Sequence, residues 1–392
     1  MSYLMEYQKH SNYFAQVTGK MEQLCEQELR ELGAEKTSVA YRGVYFTADK
    51  AALYRINSLS RLATRVLAPL LTFSCHSARY LTKTAAGIEW DKILPLRKTF
   101  AIAATVSNSS ITHSLYASQC LKDGIADYFF AKYGKRPDVD RKNPDVRINL
   151  HIESNKAVIS LDTSGESLHK RGYRLSAVEA PMQETLAAAL VRLSGWNGDK
   201  PLWDCMCGSG TILCEALMHY CRIPAQYLRK DFGFFLLPDF DREVWKRVRE
   251  KCDRNIRTMP RGLLRGSDVS RRAVAVTAKN MRRLPSHEAV ELSCRPFQKV
   301  PSFEQGIIIS NPPYGIRQGD KEEVKVLYKE LGDFLKKRCN GTSAYLYLGD
   351  TSLRKHIGLK PSQKIPLVNG ALAGELLRID SYRISFRPKK SG

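Results

Sequence analysis

The stretch Leu202-Trp203-Asp204-Cys205-Met206-Cys207-Gly208-Ser209-Gly210-Thr211 decides how this chain folds. It opens with a short apolar run of strand character, passes through two glycines, and enters an apolar segment of helical spacing from Thr211 to His219. A strand that turns through glycine into a helix is the first step of a βαβ unit. Downstream the alternation repeats. Leu263 to Gly266, Gly306 to Ser310 and Ala344 to Leu348 read as strands, and Arg271 to Arg283 and Glu322 to Arg338 as helices. Strands alternating with helices imply an α/β fold with a parallel, doubly wound sheet. Residues 222–259 interrupt the pattern with a helix of their own, Asp241 to Arg257.

The same stretch carries chemistry. Glycines let backbone N–H groups approach a ligand closely, and a helix N-terminus favours a carboxylate or a phosphate. A lone G-x-G turn is weak, but the next strand ends in Gly266-Ser267-Asp268, where an acid can accept from both hydroxyls of a ribose. Read only as a helix N-cap, Asp268 would explain one residue and not the pair. Asp204, Cys207, Gly208, Ser209, Gly210 and Asp268 are therefore candidate contacts to a nucleoside cofactor.

The third strand runs straight into Asn311-Pro312-Pro313-Tyr314-Gly315. The Asn311 side-chain carbonyl and the Pro312 backbone carbonyl can accept both hydrogens of a planar –NH2 group and aim its lone pair at an electrophile. Tyr314 can stack on the base that bears the amine. Two prolines stiffen the loop and limit the entropy lost on docking. Asn311, Pro312 and Tyr314 are the candidate catalytic residues. A plain Pro-rich turn would not explain their place after a strand and downstream of both cofactor elements. No His or acid stands beside the motif, so no general base is assigned.

Working toward the N-terminus, Tyr13 to Val17 reads as a strand, Lys20 to Leu32 as an amphipathic helix closed by Gly33, and Val39 to Phe46 as one half-buried strand. Lys50 to Leu59 is a second helix, and this small unit ends near Leu71. A second unit holds the strand Phe100 to Val106 and the helix Ser114 to Tyr133 ending at Gly134. Its hairpin pairs Val146 to Ile152 with Lys156 to Leu161 about Glu153-Ser154-Asn155. The expected division is 1–71, 72–166 and 167–392.

The 392 residues carry 62 Lys and Arg against 40 Asp and Glu, a formal charge of +22, and the pI is about 9.6. A surplus that large predicts a polyanionic partner. No apolar run reaches the roughly 18 residues a membrane span needs, and residues 1–10 lack the apolar core of a secretory signal. The ten cysteines form no C-x-x-C pair, and neither they nor the eight histidines have zinc-finger spacing. The expectation is a reduced cytoplasmic protein with no metal site, no membrane contact and no obligate protein partner. His169, Lys170, Arg171, Tyr173 and Arg174 form a basic cluster with a stackable ring, which suggests RNA contact; a linker packed between domains is the alternative. The basic stretch from Lys135 to Arg147 also contains three aspartates and reads equally as a solvated loop. Trp196 and Trp203 read as core residues.

Taken with Ser167 to Arg174 and with Ala180-Pro181-Met182-Gln183-Glu184-Thr185-Leu186-Ala187-Ala188, these motifs resemble the bacterial THUMP-domain ribosomal RNA guanine-N2 methyltransferases over residues 10–385. The Asn311 to Gly315 loop followed by Arg317 completes the likeness. The resemblance implies a ferredoxin-like domain, a THUMP RNA-binding domain and a Rossmann-like class I methyltransferase domain. It implies S-adenosylmethionine as cofactor, Met182, Glu184 and Thr185 beside it, and a guanine of 23S ribosomal RNA as substrate. A tRNA guanine-N2 enzyme, a DNA adenine-N6 enzyme and a non-catalytic ribosome-assembly factor are the alternatives. Two positions depart from the family. Cys205 replaces the usual proline, which should loosen the loop. Pro296 stands where an acid usually reaches the adenine, so the backbone or the Phe297 ring must supply that contact.

Overall fold

The computed structural model describes residues 4–176, 182–314 and 321–381. Within them the chain forms two compact units. The first comprises residues up to 18, 22–170 and 226–251, and the second 19–21, 171–225 and those from 252 onward.

The first unit begins with helix α1 (Glu6–His10), strand β1 (Asn12–Val17), α2 (Glu22–Glu31), β2 (Glu35–Ala40), β3 (Gly43–Thr47), α3 (Lys50–Leu59) and β4 (Ala63–Ser74). It continues with α4 (Ala78–Ala85), β5 (Phe100–Ser107), α5 (Ser114–Tyr133), β6 (Val146–Glu153) and β7 (Lys156–Asp162). One seven-stranded sheet holds them in the order β2-β3-β1-β4-β7-β6-β5. The central strand β4 pairs with β1 through its first half and with β7 along most of its length, so it passes unbroken through residue 71. Where the sequence suggests one strand over Val39 to Phe46 there is a hairpin, turning at Arg42 with φ of +53°. The two turning residues, Tyr41 and Arg42, are neither Gly nor Asn, and Gly43 falls just after them as the first residue of β3, so the alternation reads as continuous.

The segment 226–251 leaves the second unit and completes the first. Phe234 stacks on Tyr54 at 4.6 Å between ring centroids. Tyr7 Oη donates to Asp239 at 2.6 Å, and the Phe234 N–H donates to the Thr163 carbonyl at 2.8 Å. A Cβ at Gly233 would lie 1.9 Å from the Asp162 carbonyl, so only glycine allows this approach. Phe232, Phe235, Phe240 and Trp245 join the cluster. Each such ring pair adds roughly 0.5–1.5 kcal/mol beyond its buried area.

The second unit runs α6 (Glu184–Leu193), β8 (Leu202–Asp204), α7 (Thr211–Tyr220), α8 (Arg242–Arg254, whose first turns belong to the inserted segment), β9 (Leu264–Asp268), α9 (Arg271–Met281) and β10 (Glu291–Cys294). Then follow β11 (Ile307–Ser310), α10 (Lys321–Arg338), β12 (Ser343–Leu348), α11 (Arg354–Ile357), β13 (Gln363–Asn369) and β14 (Leu372–Asp380). The sheet order is β10-β9-β8-β11-β12-β14-β13. All its pairs are parallel except those of β14, which runs antiparallel to β12 and β13. Strands β8 and β11 are buried at every residue, as parallel strands covered on both faces must be. Trp203 packs on Phe303 and Phe334, and Trp196 is 1% exposed, so both tryptophans are core residues as expected. Among the described residues no helix is long and apolar enough to cross a membrane.

Candidate active site

In the second sheet, β8 is first in the chain, β9 and β10 extend it one way, and β11 and β12 extend it the other. The order therefore reverses between β8 and β11. In open α/β sheets a ligand binds in the crevice beyond the carboxyl ends of the strands at such a reversal. The Asp204 to Thr211 loop and Asn311 both leave the sheet at that point.

The loop after β8 is held by neighbours on three sides. Gly208 N–H donates to Asp268 Oδ2 at 2.9 Å, and Cys207 N–H to the Ser267 carbonyl at 3.0 Å. From α9, Thr277 Oγ1 donates to the Gly208 carbonyl and Asn280 Nδ2 to the Ser209 carbonyl, each at 3.0 Å. Gly208 and Gly210 have φ of +54° and +77°, and a Cβ on Gly210 would come within 2.6 Å of Thr277. The glycines are thus required by backbone conformation and by close approach. Thr277 and Asn280 carried no sequence signal, because helical positions with ordinary polar residues are common.

Asp268 also accepts from Ser270 N–H at 2.9 Å. A carboxylate has about four acceptor sites, so two remain open to hydroxyls after these two bonds. Asp204 is 1% exposed and accepts from Ser310 Oγ at 2.7 Å and from Met206 N–H. Burial pushes its carboxyl up to about 7. Ser310 thereby links β11 to the end of β8, a contact the sequence did not disclose.

Asn311 follows Ser310 directly. Its Oδ1 is buried and has no hydrogen-bond partner among the described residues. Leaving a buried acceptor unpaired costs roughly 1–3 kcal/mol, and such groups call for an explanation in ligand binding or strain. Tyr314 is half-buried with its ring against Gly349, where a Cβ would meet the ring at 2.8 Å. Gly315 and Arg317 lie outside the described residues, as do Ala180 and Pro181.

Met182, Glu184 and Thr185 sit at the start of α6, each nearly inaccessible, and Thr185 Oγ1 has no hydrogen-bond partner among the described residues. Arg174 ties this segment to the glycine loop. It donates to the Met182 carbonyl at 2.7 Å and to Thr211 Oγ1 at 3.1 Å, with its Nε 3.3 Å from Glu184 Oε1. Burial pushes the Glu184 carboxyl up, opposed by the Arg174 guanidinium.

Two expectations need correction. The sequence suggests RNA contact for Arg171, Tyr173 and Arg174, but Arg171 and Tyr173 are 2% and 1% exposed. Arg171 Nε lies 3.3 Å from Glu215 Oε1, and Tyr173 Oη donates to the same oxygen at 3.0 Å. Glu215, on α7, is the acid missing from the local sequence. Removing one partner of a buried ion pair costs about 3–5 kcal/mol, so these residues hold the fold. Arg174 instead ties the start of α6 to Thr211 beside the glycine loop, as described above. His169, bonded to Ser167, and Lys170, paired with Glu166, keep accessible surface. Second, the Phe297 ring is 2% exposed and packs edge-on against Phe334 at 5.5 Å. The ring is therefore core, and only its backbone remains for a ligand. Cys205 is buried in the same apolar cluster as Trp203 and Phe297. All ten cysteines are free thiols, and among the described residues no group of three or more His, Cys, Asp or Glu could hold a metal ion.

The geometry fits S-adenosylmethionine: a glycine cradle, a ribose-competent carboxylate one strand over, and unpaired buried acceptors at Thr185 and Asn311. Comparison with known proteins agrees. The family described as RMKL-like, methyltransferase domain matches residues 171–378, a THUMP domain matches 75–162, and an RlmL ferredoxin-like domain matches 12–67. A Synechocystis protein that bears an RNA methyltransferase name is 37% identical over 94% of this chain and 97% of its own. A Syntrophotalea carbinolica protein named ribosomal RNA large subunit methyltransferase K/L is 35% identical over 94% of this chain. The chain spans only 53% of that relative's length. Among solved structures, a methyltransferase complexed with S-adenosylhomocysteine superposes with a TM-score of 0.82 at 29% identity, covering 95% of this chain and 98% of its own. A Listeria monocytogenes protein described as an N6-adenine-specific DNA methylase gives 0.83 at 26%, covering 95% and 97%.

Proposed function

Because the chain belongs to the RMKL-like methyltransferase family, we propose that it transfers a methyl group from S-adenosylmethionine to the exocyclic N2 of a guanine in large-subunit ribosomal RNA. It is an S-adenosylmethionine-dependent methyltransferase with ferredoxin-like and THUMP domains ahead of the catalytic one. The observation that carries the reading of the reaction is the unpaired buried Oδ1 of Asn311 at the sheet's reversal point.

The cofactor supplies an electrophilic methyl on a sulfonium. Gly208 to Gly210 and Asp268 hold its two ends, with Met182, Glu184, Thr185, Asp204, Cys207 and the Phe297 backbone lining the same site. An aromatic amine is a poor nucleophile because its lone pair is delocalised into the ring. Asn311 Oδ1 and the Pro312 carbonyl accept its two hydrogens, orient the lone pair and stabilise the positive charge that grows on nitrogen. Tyr314 stacks on the base, which must leave its own stack to enter. No base is needed before transfer, and the extra proton leaves to water afterwards. His169 and Lys170 contribute RNA contacts, and a ribosomal substrate puts the reaction in the cytoplasm. As functional parts we propose residues 1–71 and 72–166 for RNA and 167–392 for catalysis, with 226–251 serving the first part.

Methyl transfer from labelled cofactor to unmodified ribosomal RNA, followed by nucleoside analysis, tests this. N2-methylguanosine is expected. N6-methyladenosine would keep the mechanism and replace the substrate, and label on tRNA alone would replace the RNA.

A further inference from the structure

The face of the first unit's sheet carries a cleft of about 480 Å3 that the chemistry above does not use. Its floor crosses five neighbouring strands, from Gln16 on β1 and Leu67 on β4 to Asp162 on β7, Asn149 on β6 and Ala103 on β5. Cross-strand partners share a face, and the register sets Ala101 beside Arg147 and Ala103 beside Asn149. Small side chains on β5 make the hollow. Helix α5 supplies one wall through Leu115 and Gln119, and the loop at Val139 and Arg141 supplies another.

The charge of this cleft is one-sided. Arg65, Lys122, Arg141 and Arg147 line it, against the single carboxylate of Asp162. Asp162 is already engaged, accepting from Arg65 and from Ser164 N–H. Arg65 also donates to the Gly165 carbonyl, which fixes its guanidinium in place. Lys122 is paired with Asp123. Arg141 and Arg147 have neither an ion pair nor a side-chain hydrogen bond among the described residues. Of the nearby acids, Asp140 accepts from Lys142 and Asn143 N–H, and Glu166 pairs with Lys170. Two unpaired guanidinium groups and one pre-oriented one thus rim a hollow with an apolar and amide floor.

We propose that this cleft binds an unpaired, single-stranded segment of the substrate RNA, its phosphates on Arg65, Arg141 and Arg147 and a base on the floor by Ala103 and Asn149. The inference rests on the RNA methyltransferase reading and adds where a strand is gripped. Its volume lies in the range of small-ligand pockets, roughly 300–1,000 Å3, which suits one or two unstacked nucleotides and not a duplex. Single strands are also where base edges and faces are free to be read. Gln16, Gln119 and Asn149 offer amide donors and acceptors to those edges. The basic loop that the sequence left undecided therefore divides: Arg141 and Arg147 line the cleft, whereas Lys135, Arg136 and Lys142 do not.

The test uses the full chain with a fluorescein-labelled octamer of uridylate and a blunt RNA duplex of equal length, read by anisotropy. R141E/R147E should weaken octamer binding tenfold or more. It should also flatten the dependence of log affinity on log salt by about 1.4, the value for two lost single-strand phosphate contacts. R141Q/R147Q should fall between it and the wild type, and calorimetric affinity for S-adenosylmethionine should be unchanged in both. In the unaltered protein, 4-thiouridine in the octamer should cross-link within residues 101–105 or 115–122. Unchanged affinity and slope in both variants, cross-links confined to other segments, or duplex binding that is equally strong and equally sensitive would each overturn the proposal. An octamer that binds as described while ribosomal RNA acquires no N2-methylguanosine would leave the cleft standing and remove the guanine reading instead.

Discussion

Asn311→Ala should make this protein a worse catalyst and a more stable fold. Asn311 Oδ1 is buried and unpaired, so its folded state carries a desolvation cost of roughly 1–3 kcal/mol that alanine abolishes. The side chain is half-buried, and its lost packing takes back part of that gain. The net expectation is a rise in the melting temperature of the second unit, about 2–4 °C for each kcal/mol recovered. Turnover should fall a hundredfold or more, the scale of about 2.7–4 kcal/mol for one preorganised polar contact to a reacting group. Cofactor affinity should hold, because the glycine loop and Asp268 are anchored by other residues. The assays are calorimetric melting without ligand, titration with S-adenosylmethionine, and methyl transfer at saturating cofactor. Parallel losses of stability and turnover would show that Asn311 is a structural residue, and undiminished turnover would refute its role outright. Opposite movements are the signature of a site that gives up stability for function.

Asp268→Ala should weaken cofactor binding tenfold or more, since charge-assisted bonds are worth roughly 1.5–3 kcal/mol; a calorimetric affinity equal to wild type would remove it from the site. Asp204→Asn should gain stability over wild type as pH rises. The Asp204 carboxyl is raised to about 7 in the fold, so its contribution is full below the unfolded value and is lost as pH climbs through 7. Urea midpoints of the two proteins that stay parallel from pH 4 to 8 would contradict this. Deleting residues 1–166 alone should give an aggregating chain, because Phe234 and its ring cluster lose Tyr54 and Tyr7 as partners. Replacing 226–251 with a short Gly-Ser linker in the same deletion should restore a soluble, cofactor-binding protein, and equal solubility of the two deletions would dispose of the idea.

Parallel strands such as Ile307–Ser310 are buried on both faces and announce themselves as unbroken apolar runs. Strands β8, β9 and β11 run into the glycine, acid and Asn-Pro loops, so the centre of this sheet and its candidate loops could be read from the sequence. What escaped was non-local. Arg171 and Tyr173 look like a free basic patch until Glu215, forty-four residues on for Arg171, is folded against them. Strand β4 is apolar from Val66 to Phe73, but Pro69 inside it argues against a central strand, and the register shift between Pro69 and Leu71 is what accommodates it. In β13, Pro366 argues against a strand, whereas an edge position tolerates it. The aromatic run from Phe232 to Trp245 signalled a core without saying whose.

That inserted run also bears on how the chain emerges from the ribosome. The first sheet is complete in sequence at Asp162, yet the groups that cover Tyr7 and Tyr54 arrive only with Phe234 to Asp241. At translation rates of about 5–20 residues per second, the interval is roughly 4–16 s. Throughout it a nascent N-terminal half holds an aromatic surface open to chaperones or to premature pairing. The order of synthesis thus makes the first unit wait on its own last segment, residues 226–251, which is made only after 171–225 of the second, and a nascent chain arrested near residue 170 should be far more protease-sensitive than one arrested past 280.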